Sequence, residues 1–473
     1  MMEAAPVLSI ICEVAVEFSF GVTPMLLDEE HFAEDGSRWE VFQIDKYQQE
    51  LVPTMFICTS TSLQQMSCKK IFFLLMAVSS LSLFLHYRGR FIWTIKLSKM
   101  ASNITCSLSS AAAKPKHMSI AFLKTHKTAS STMQNILFRF AEHHNLTVAL
   151  PQSPCSHQFR YPSSFSSRFV HPYTLPARII TNHMRFNHSE VQRIMPNDTI
   201  YITILREPAS MFESLFSYYN QYCPSFKRVP DGSLETFLKD PRRYYNPAEK
   251  YSMFAHNTLT YDLGGDNNHR ASDKAYVKGF IAKIESIFSL VMISEYFDES
   301  LVLLRHLLSW ELEDVLYIKH NMRSHGSRRS LQEGLPARIR VWNALDAQLY
   351  DHFNASLWRQ LDALGLDCVA REVQLLRQAR DRLVRGCIGG LQPQPRPPNQ
   401  IKDKVLRPAQ PPKVTIMGYN VPLNASYMGA KPGSESHDRC MKLVMPEVPY
   451  SQRLLQTQFL RSVRHSPSFW AAN

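Results

Sequence analysis

The sequence holds no CxxC pair and no HExxH. It therefore offers neither a thiolate zinc site nor a helix-borne metallohydrolase centre, and no metal is expected. Between Lys124 and Thr132 there is no glycine, so the GxxxxGK[ST] loop of a P-loop kinase is excluded there. A kinase would also need a magnesium-binding aspartate beside its second strand. The acids flanking that strand are Asp198 before it and Glu207 after it. No internal repeat and no nucleic-acid motif occur, so the positive charge described below calls for a different polyanion.

The most informative stretch is IAFLKTHKTASSTMQNILFRF, residues 120–140. Ile120, Ala121, Phe122 and Leu123 read as a short apolar strand. A loop with two lysines and five hydroxyl residues follows, then a helix with apolar residues at Met133, Ile136, Leu137 and Phe140. A strand, a cationic loop and a helix start bring loose N–H groups, a positive dipole end and lysines to one point. The ligand implied is a phosphate or a sulfate. Ser130, Ser131 and Thr132 are candidates for hydroxyl donors and helix caps. The plainer reading is a strand–turn–helix with a solvated basic turn.

A second segment favours the anion site. TIYITILREPASMFESLFSYYNQY reads as a buried strand over 199–205 and a helix from about 208 to 222. Arg206 stands where the strand ends, and Pro208 suits a first helical turn. In a parallel sheet, ligands sit beyond the carboxyl ends of strands, so Arg206 and the lysine loop are expected to face one crevice. Arg206 with Ser214, eight residues on, suits forked recognition of a second phosphate. A salt bridge to Glu207 or Glu213 is the plainer role for Arg206, and a helix surface position for Ser214.

The pair LKTHKTASST and ITILREPASMFESLFSYY resembles the two nucleotide-binding motifs of Golgi carbohydrate sulfotransferases, the galactose-3-O-sulfotransferases in particular. EYFDESLVLLR, YDHFNASLW and MPEVPYS agree, and the likeness runs roughly from Met66 to Leu455. It implies an α/β, P-loop-like sulfotransferase fold: a central, mainly parallel sheet flanked by helices, with one N-terminal transmembrane helix. The donor implied is 3′-phosphoadenosine 5′-phosphosulfate (PAPS). By resemblance, Lys124, Thr125, Lys127, Thr128, Ala129, Ser130, Ser131 and Thr132 hold its 5′-phosphosulfate, and Arg206 and Ser214 its 3′-phosphate. Lys127 is expected to stabilise charge on the bridging oxygen. Two histidines are candidates for the base, since imidazole titrates near neutrality. His183, in TNHMRFN, matches the position of a base in related 2-O-sulfotransferases and is ranked first. His126, inside the loop, either replaces it or orients the sulfonate. The acceptor implied is the 3-hydroxyl of a terminal galactose on a glycoprotein glycan, N-acetyllactosamine type preferred, with galactosylceramide as the alternative. A non-catalytic Golgi glycan-binding protein would not need the lysine loop. A homo-oligomer is compatible with this reading; nucleic acid is not an expected partner.

The charge is unevenly placed. Residues 1–68 hold eleven acids against Arg38 and Lys46, net −9, so with +12 over the chain the remainder carries +21. A polyanionic nucleotide donor accounts for such a body. RSHGSRR, residues 323–329, reads first as a solvated loop and second as a cover over the nucleotide. IFFLLMAVSSLSLFLHY, residues 71–87 after Lys69 and Lys70, is a short signal anchor. Lysines and arginines after it oppose a lumenal body by the positive-inside rule. Six N-x-[ST] triplets, at Asn103, Asn145, Asn187, Asn197, Asn354 and Asn424, all follow it and outweigh that bias. The expected topology is a single-pass type II Golgi membrane protein with a lumenal catalytic domain. Six cysteines after the anchor (106, 155, 223, 368, 387, 440) permit disulfides in fifteen pairings.

The expected organisation is an acidic extension over 1–68, poorly ordered and cytosolic, the anchor over 69–87 and a stem over 88–117. A sulfotransferase domain then covers 118–455, with a loose tail over 456–473. Within the domain, strands are expected over 178–181 and 290–294, a helix over EYFDESLVLLRHLL, and further helices from about 336 to 385. QPQPRPP, residues 392–398, marks a boundary or surface strap. VTIMGYN and CMKLVMPEVPY are expected to pack back on the core.

Overall fold

The computed structural model describes residues 115–153, 156–327, 331–389, 394–422 and 435–464. All lie in one of the two units into which the chain divides. The acidic extension, the anchor, nearly all of the stem, Asn103, Asn424, Cys106 and Cys155 lie outside the described residues. Among those described, no helix is long and apolar enough to cross a membrane.

The apolar runs become a five-stranded parallel sheet in the order β2-β3-β1-β4-β5. These strands are Ile120–Leu123 (β1), Val148–Ala149 (β2), Ile179–Ile180 (β3), Ile200–Leu205 (β4) and Leu290–Ile293 (β5). Ile120 pairs with Ile179 on one side and Ile200 on the other. Strands buried on both faces need apolar residues in succession, which IAFL, ITIL and LVMI supply. The chain first moves outward from β1 to β2, returns through β3, then crosses to β4 and β5. The order therefore reverses around β1, and the crevice opens at the carboxyl ends of β3, β1 and β4.

Helices cover the sheet. Apart from four short helices between residues 188 and 244, those used below are α1 (Ser130–His143), α2 (Pro208–Tyr219), α3 (Thr258–Asp262), α4 (Lys274–Ile287), α5 (Phe297–Leu308), α6 (Leu335–Trp342), α7 (Ala344–Leu364), α8 (Leu366–Ile388), α9 (Glu435–Val444) and α10 (Glu447–Arg464). The helix expected to reach 222 ends at Tyr219, whose carbonyl accepts from the N–H groups of Tyr222 and Cys223. The long helical stretch after 335 is three helices, broken at Asn343 and at Gly365 (φ 95°).

The C-terminal text packs back. Ile416–Met417 (β7) pairs antiparallel with Met322–Arg323 (β6), and Arg396 of the proline-rich strap bridges to Gly418. Both α9 and α10 lie on α1. A disulfide joins Cys387 of α8 to Cys440 of α9 across a separation of 53 residues. Cys223 is a buried free thiol. The stretch from 456 to 464, expected to be loose, continues α10, and the buried Gln458 side chain bonds both backbone groups of Val148 in β2. Among the described residues that edge strand has no further neighbour in the sheet, and the amide takes the place of one.

Candidate active site

At the carboxyl end of β1 the chain turns through Lys124–Ala129 into α1. Lys127 (φ 60°) and Ala129 (φ 66°) both take the left-handed conformation without glycine, at a cost of about 1 kcal/mol each. The loop is held in that shape by its own hydroxyls. Thr125 donates to the Ile204 carbonyl and pairs with Thr128 Oγ1 at 2.8 Å. Ser130 Oγ donates to the Thr125 carbonyl at 2.7 Å. Ser131 accepts from Asn321, and Thr132 Oγ1 from the His320 N–H. The Thr125, Thr128 and Ser130 hydroxyls are thus engaged by the loop itself, and their first task is bracing. What the loop can still offer an anion is the Lys127 ammonium, the hydroxyl protons of Ser131 and Thr132, whose oxygens only accept in these bonds, and the leading N–H groups of α1.

Twelve residues were expected at this site, and the structure brings eleven to one cleft of about 630 Å³: Lys124, His126, Lys127, Thr128, Ala129, Ser130, Ser131, Thr132, His183, Arg206 and Ser214. Thr125 is the exception; it is wholly buried under the loop. Arg206, just past β4, donates Nη1 to the Lys127 carbonyl at 3.0 Å, so the two cationic walls meet. Ser214 faces the cleft from α2.

The cleft is overloaded with positive charge. Burial, then the nearby charges of Arg323, Arg206 and Lys124, depress the Lys127 ammonium to a pKa of about 7, against the pull of Glu213. Burial also lowers Arg206. A buried cation with further cations around it is an environment that an anion would relieve. Lys127 rests 3.8 Å from the centre of the Tyr218 ring, a cation–π seat that fixes its direction. Lys124 is more self-contained: its buried ammonium is 2.5 Å from Glu447 at the start of α10.

The two histidines stack, ring centres 4.2 Å apart and planes at 13°. His183, just past β3, has Nδ1 2.9 Å from the Lys124 carbonyl oxygen. A carbonyl only accepts, so Nδ1 holds the proton and Nε2 a lone pair. Burial and the charges of Lys124, His126 and His157 hold His183 well below the ordinary imidazole pKa, so it is neutral at pH 7. His126 is anchored differently. Its backbone N–H and its Nδ1 both meet the buried Asp262 carboxylate at 2.9 Å.

The galactose-3-O-sulfotransferase family model matches residues 52–458. The chain belongs to that family. It is 55% identical over 410 residues to galactose-3-O-sulfotransferase 3 of Mus musculus, covering 86% of this chain and 93% of the relative. The Homo sapiens galactose-3-O-sulfotransferase 3 is 54% identical over 398 residues, 84% of this chain and 90% of the relative. Galactosylceramide sulfotransferase of Homo sapiens is 42% identical over 335 residues, 70% of this chain and 76% of the relative. As a galactose-3-O-sulfotransferase the chain is a sulfotransferase enzyme, and the family implies a sulfonate donor.

Several residues of this cleft were not singled out from sequence. Asp262 lies 136 positions from His126, and Glu447 lies 323 positions from Lys124. Arg323 was read first as part of a solvated loop; instead it faces the cleft, with Nη1 2.9 Å from Glu213 Oε1 and Nη2 on Oε2 of the same carboxylate. Arg328 and Arg329 of that segment lie outside the described residues. For Asp262, the local signal is the LGG that follows. Gly264 sits at φ +82°, and a Cβ there would come within 2.3 Å of the Phe186 carbonyl oxygen. Only glycine turns the chain so tightly after Asp262.

Proposed function

We propose that this enzyme transfers the sulfonate of PAPS to the 3-hydroxyl of a terminal β-galactose on glycoprotein glycans, N-acetyllactosamine type preferred. We place it in the Golgi membrane as a single-pass type II protein with residues 118–455 lumenal. The observation that carries the reading is the meeting of Lys127 and Arg206 on one cleft, with Arg323 also lining it and two stacked histidines on the wall. The size suits a nucleotide, since ligand clefts run to about 300–1,000 Å³. Around Lys127 and Arg206 the lining supplies cations and hydroxyls, as a phosphate–sulfate anhydride with a second phosphate requires, while Glu295, Asp298, Glu299 and Glu447 line other parts of the cleft.

The donor supplies an activated sulfonate on a phosphate leaving group. Arg206 and Ser214 are assigned to the 3′-phosphate, beyond β4. Lys127 and the start of α1 are assigned to the 5′-phosphosulfate, beyond β1, where the ammonium meets charge developing on the bridging oxygen. Thr125, Thr128 and Ser130 keep that loop rigid rather than reach the ligand. His183 is the proposed base. Its bare Nε2 takes the proton of the galactose 3-hydroxyl while the sugar oxygen bonds to sulfur and the bond from sulfur to the bridging oxygen breaks. Its low basicity, set by burial and neighbouring cations, rises with a donor's negative charge beside it.

Radiolabelled PAPS offered with lactose, N-acetyllactosamine, a core-1 disaccharide and galactosylceramide tests this. Label on N-acetyllactosamine ahead of the others is the expected result. Label on galactosylceramide alone transfers the assignment to the lipid acceptor, and label on none removes the transferase reading.

A further inference from the structure

Resting on that sulfotransfer reading, we infer that Asp262 is a positioning residue of the reaction: it fixes His126 with the proton on Nδ1 and leaves Nε2 bare toward the cleft. Asp262 is fully buried, and its carboxylate receives three donors. Both oxygens lie within 3.0 Å of His126 Nδ1, Oδ2 accepts from the His126 N–H at 2.9 Å, and Oδ1 accepts from Tyr161 at 2.7 Å. A carboxylate that only accepts leaves His126 one neutral tautomer, the same as that of His183.

The surroundings make Asp262 a rigid post. It ends α3, and the first-turn N–H groups of that helix, at Leu259 and Thr260, are bound by the Asp346 carboxylate of α7. The Asp262 carbonyl accepts from Phe186, in the close approach that Gly264 allows. On the other side, the His126 ring stacks on His183 and meets Tyr161, Tyr219 and Phe254 edgewise or tilted. The ionisable groups around the ring are thus Asp262, Tyr161, Tyr219 and His183, with Lys124 and His157 next to His183. Asp262 is the acid in direct contact with His126 among them, and its charge balances the imidazolium that forms when His183 takes the acceptor proton one ring away. A carboxylate that only tethered the loop would need the His126 N–H alone; the Nδ1 contact is the additional one.

Asp262→Asn tests this, because one amide oxygen cannot serve three donors. Acceptor kcat is expected to fall by about 100-fold or more, with the dissociation constant of adenosine 3′,5′-bisphosphate unchanged within about threefold and the acid limb of the kcat–pH profile displaced. In the His126→Ala background the same change should add no further loss, as residues acting as a unit behave. Full turnover in Asp262→Asn, or donor binding and thermal midpoint falling as far as kcat, overturns the inference and leaves a loop anchor. Should the variant not fold, ¹⁵N-histidine spectra of the unaltered enzyme decide: His126 protonated on Nδ1 is expected, and Nε2–H overturns it. Wild-type enzyme without transfer activity would instead count against the sulfotransfer reading itself.

Discussion

Lys127 concentrates the proposed chemistry at the scale of single residues. Its ammonium sits near pKa 7 because burial and three cations oppose its charge. A polyanion in the cleft reverses that balance and raises the pKa, so above pH 7 binding draws in a proton. Affinity for adenosine 3′,5′-bisphosphate should fall as pH rises through 7, by up to about tenfold per pH unit. Below pH 7 the lysine is already charged and contributes no slope. Titration calorimetry in buffers of different ionisation enthalpy should show the uptake at pH 8, and Lys127→Ala should lack it. The same variant should lose about 10²–10³ in kcat with an unchanged thermal midpoint; retained turnover would remove Lys127 from the reaction. This loop was legible from sequence because its lysines and hydroxyls lie side by side. Its backbone shape was not, since left-handed Lys127 and Ala129 carry no glycine to announce them.

Among the elements, strands were easiest to foresee and long-range partners hardest. ITIL and LVMI are continuous apolar runs, and burial on both faces produces that pattern. Ile179–Ile180 is too short to show one, so the strand expected over 178–181 pairs over two residues only. Glu447 opens α10 and reaches Lys124 across most of the domain, a contact that no local spacing encodes. Both partners are largely buried, so Glu447→Gln leaves an unpaired ammonium and should cost about 3 kcal/mol at pH 6. The Lys124 pKa, already lowered in the fold by burial, then falls further below its unfolded value. A depressed lysine destabilises most where it is still charged, so the deficit should shrink as pH rises toward 9. Chemical denaturation at both pH values checks this, and an equal deficit contradicts the pairing. The Cys387–Cys440 bridge ties α8 to α9 over 53 residues. Cys440→Ser should cost about 2–5 kcal/mol, read as a lower denaturation midpoint that reductant no longer affects at this bond.

Across the whole molecule, the sequons give the proposed lumenal placement its own test. Asn145 and Asn197 are exposed, Asn145 in the turn after α1. Asn354 lies inside α7 with its side-chain oxygen buried and unbonded. Expressed in a secretory cell, Asn145→Gln and Asn197→Gln should each remove one glycan in mass, and Asn354→Gln none; no shift in any would place the domain on the other side of the membrane. At this scale the sheet order explains why two distant motifs make one site. β1 and β4 are neighbours in register, Leu123 beside Thr203, so their carboxyl ends deliver Lys127 and Arg206 to the same crevice. The account rests on those two cradles gripping opposite ends of one donor. Equilibrium binding of adenosine 3′,5′-bisphosphate against adenosine 5′-monophosphate measures that directly. The unaltered enzyme should prefer the bisphosphate by at least about tenfold. Arg206→Ala should bring the two ligands together, while Lys127→Ala weakens both and keeps their ratio. A preference that survives Arg206→Ala would contradict the account.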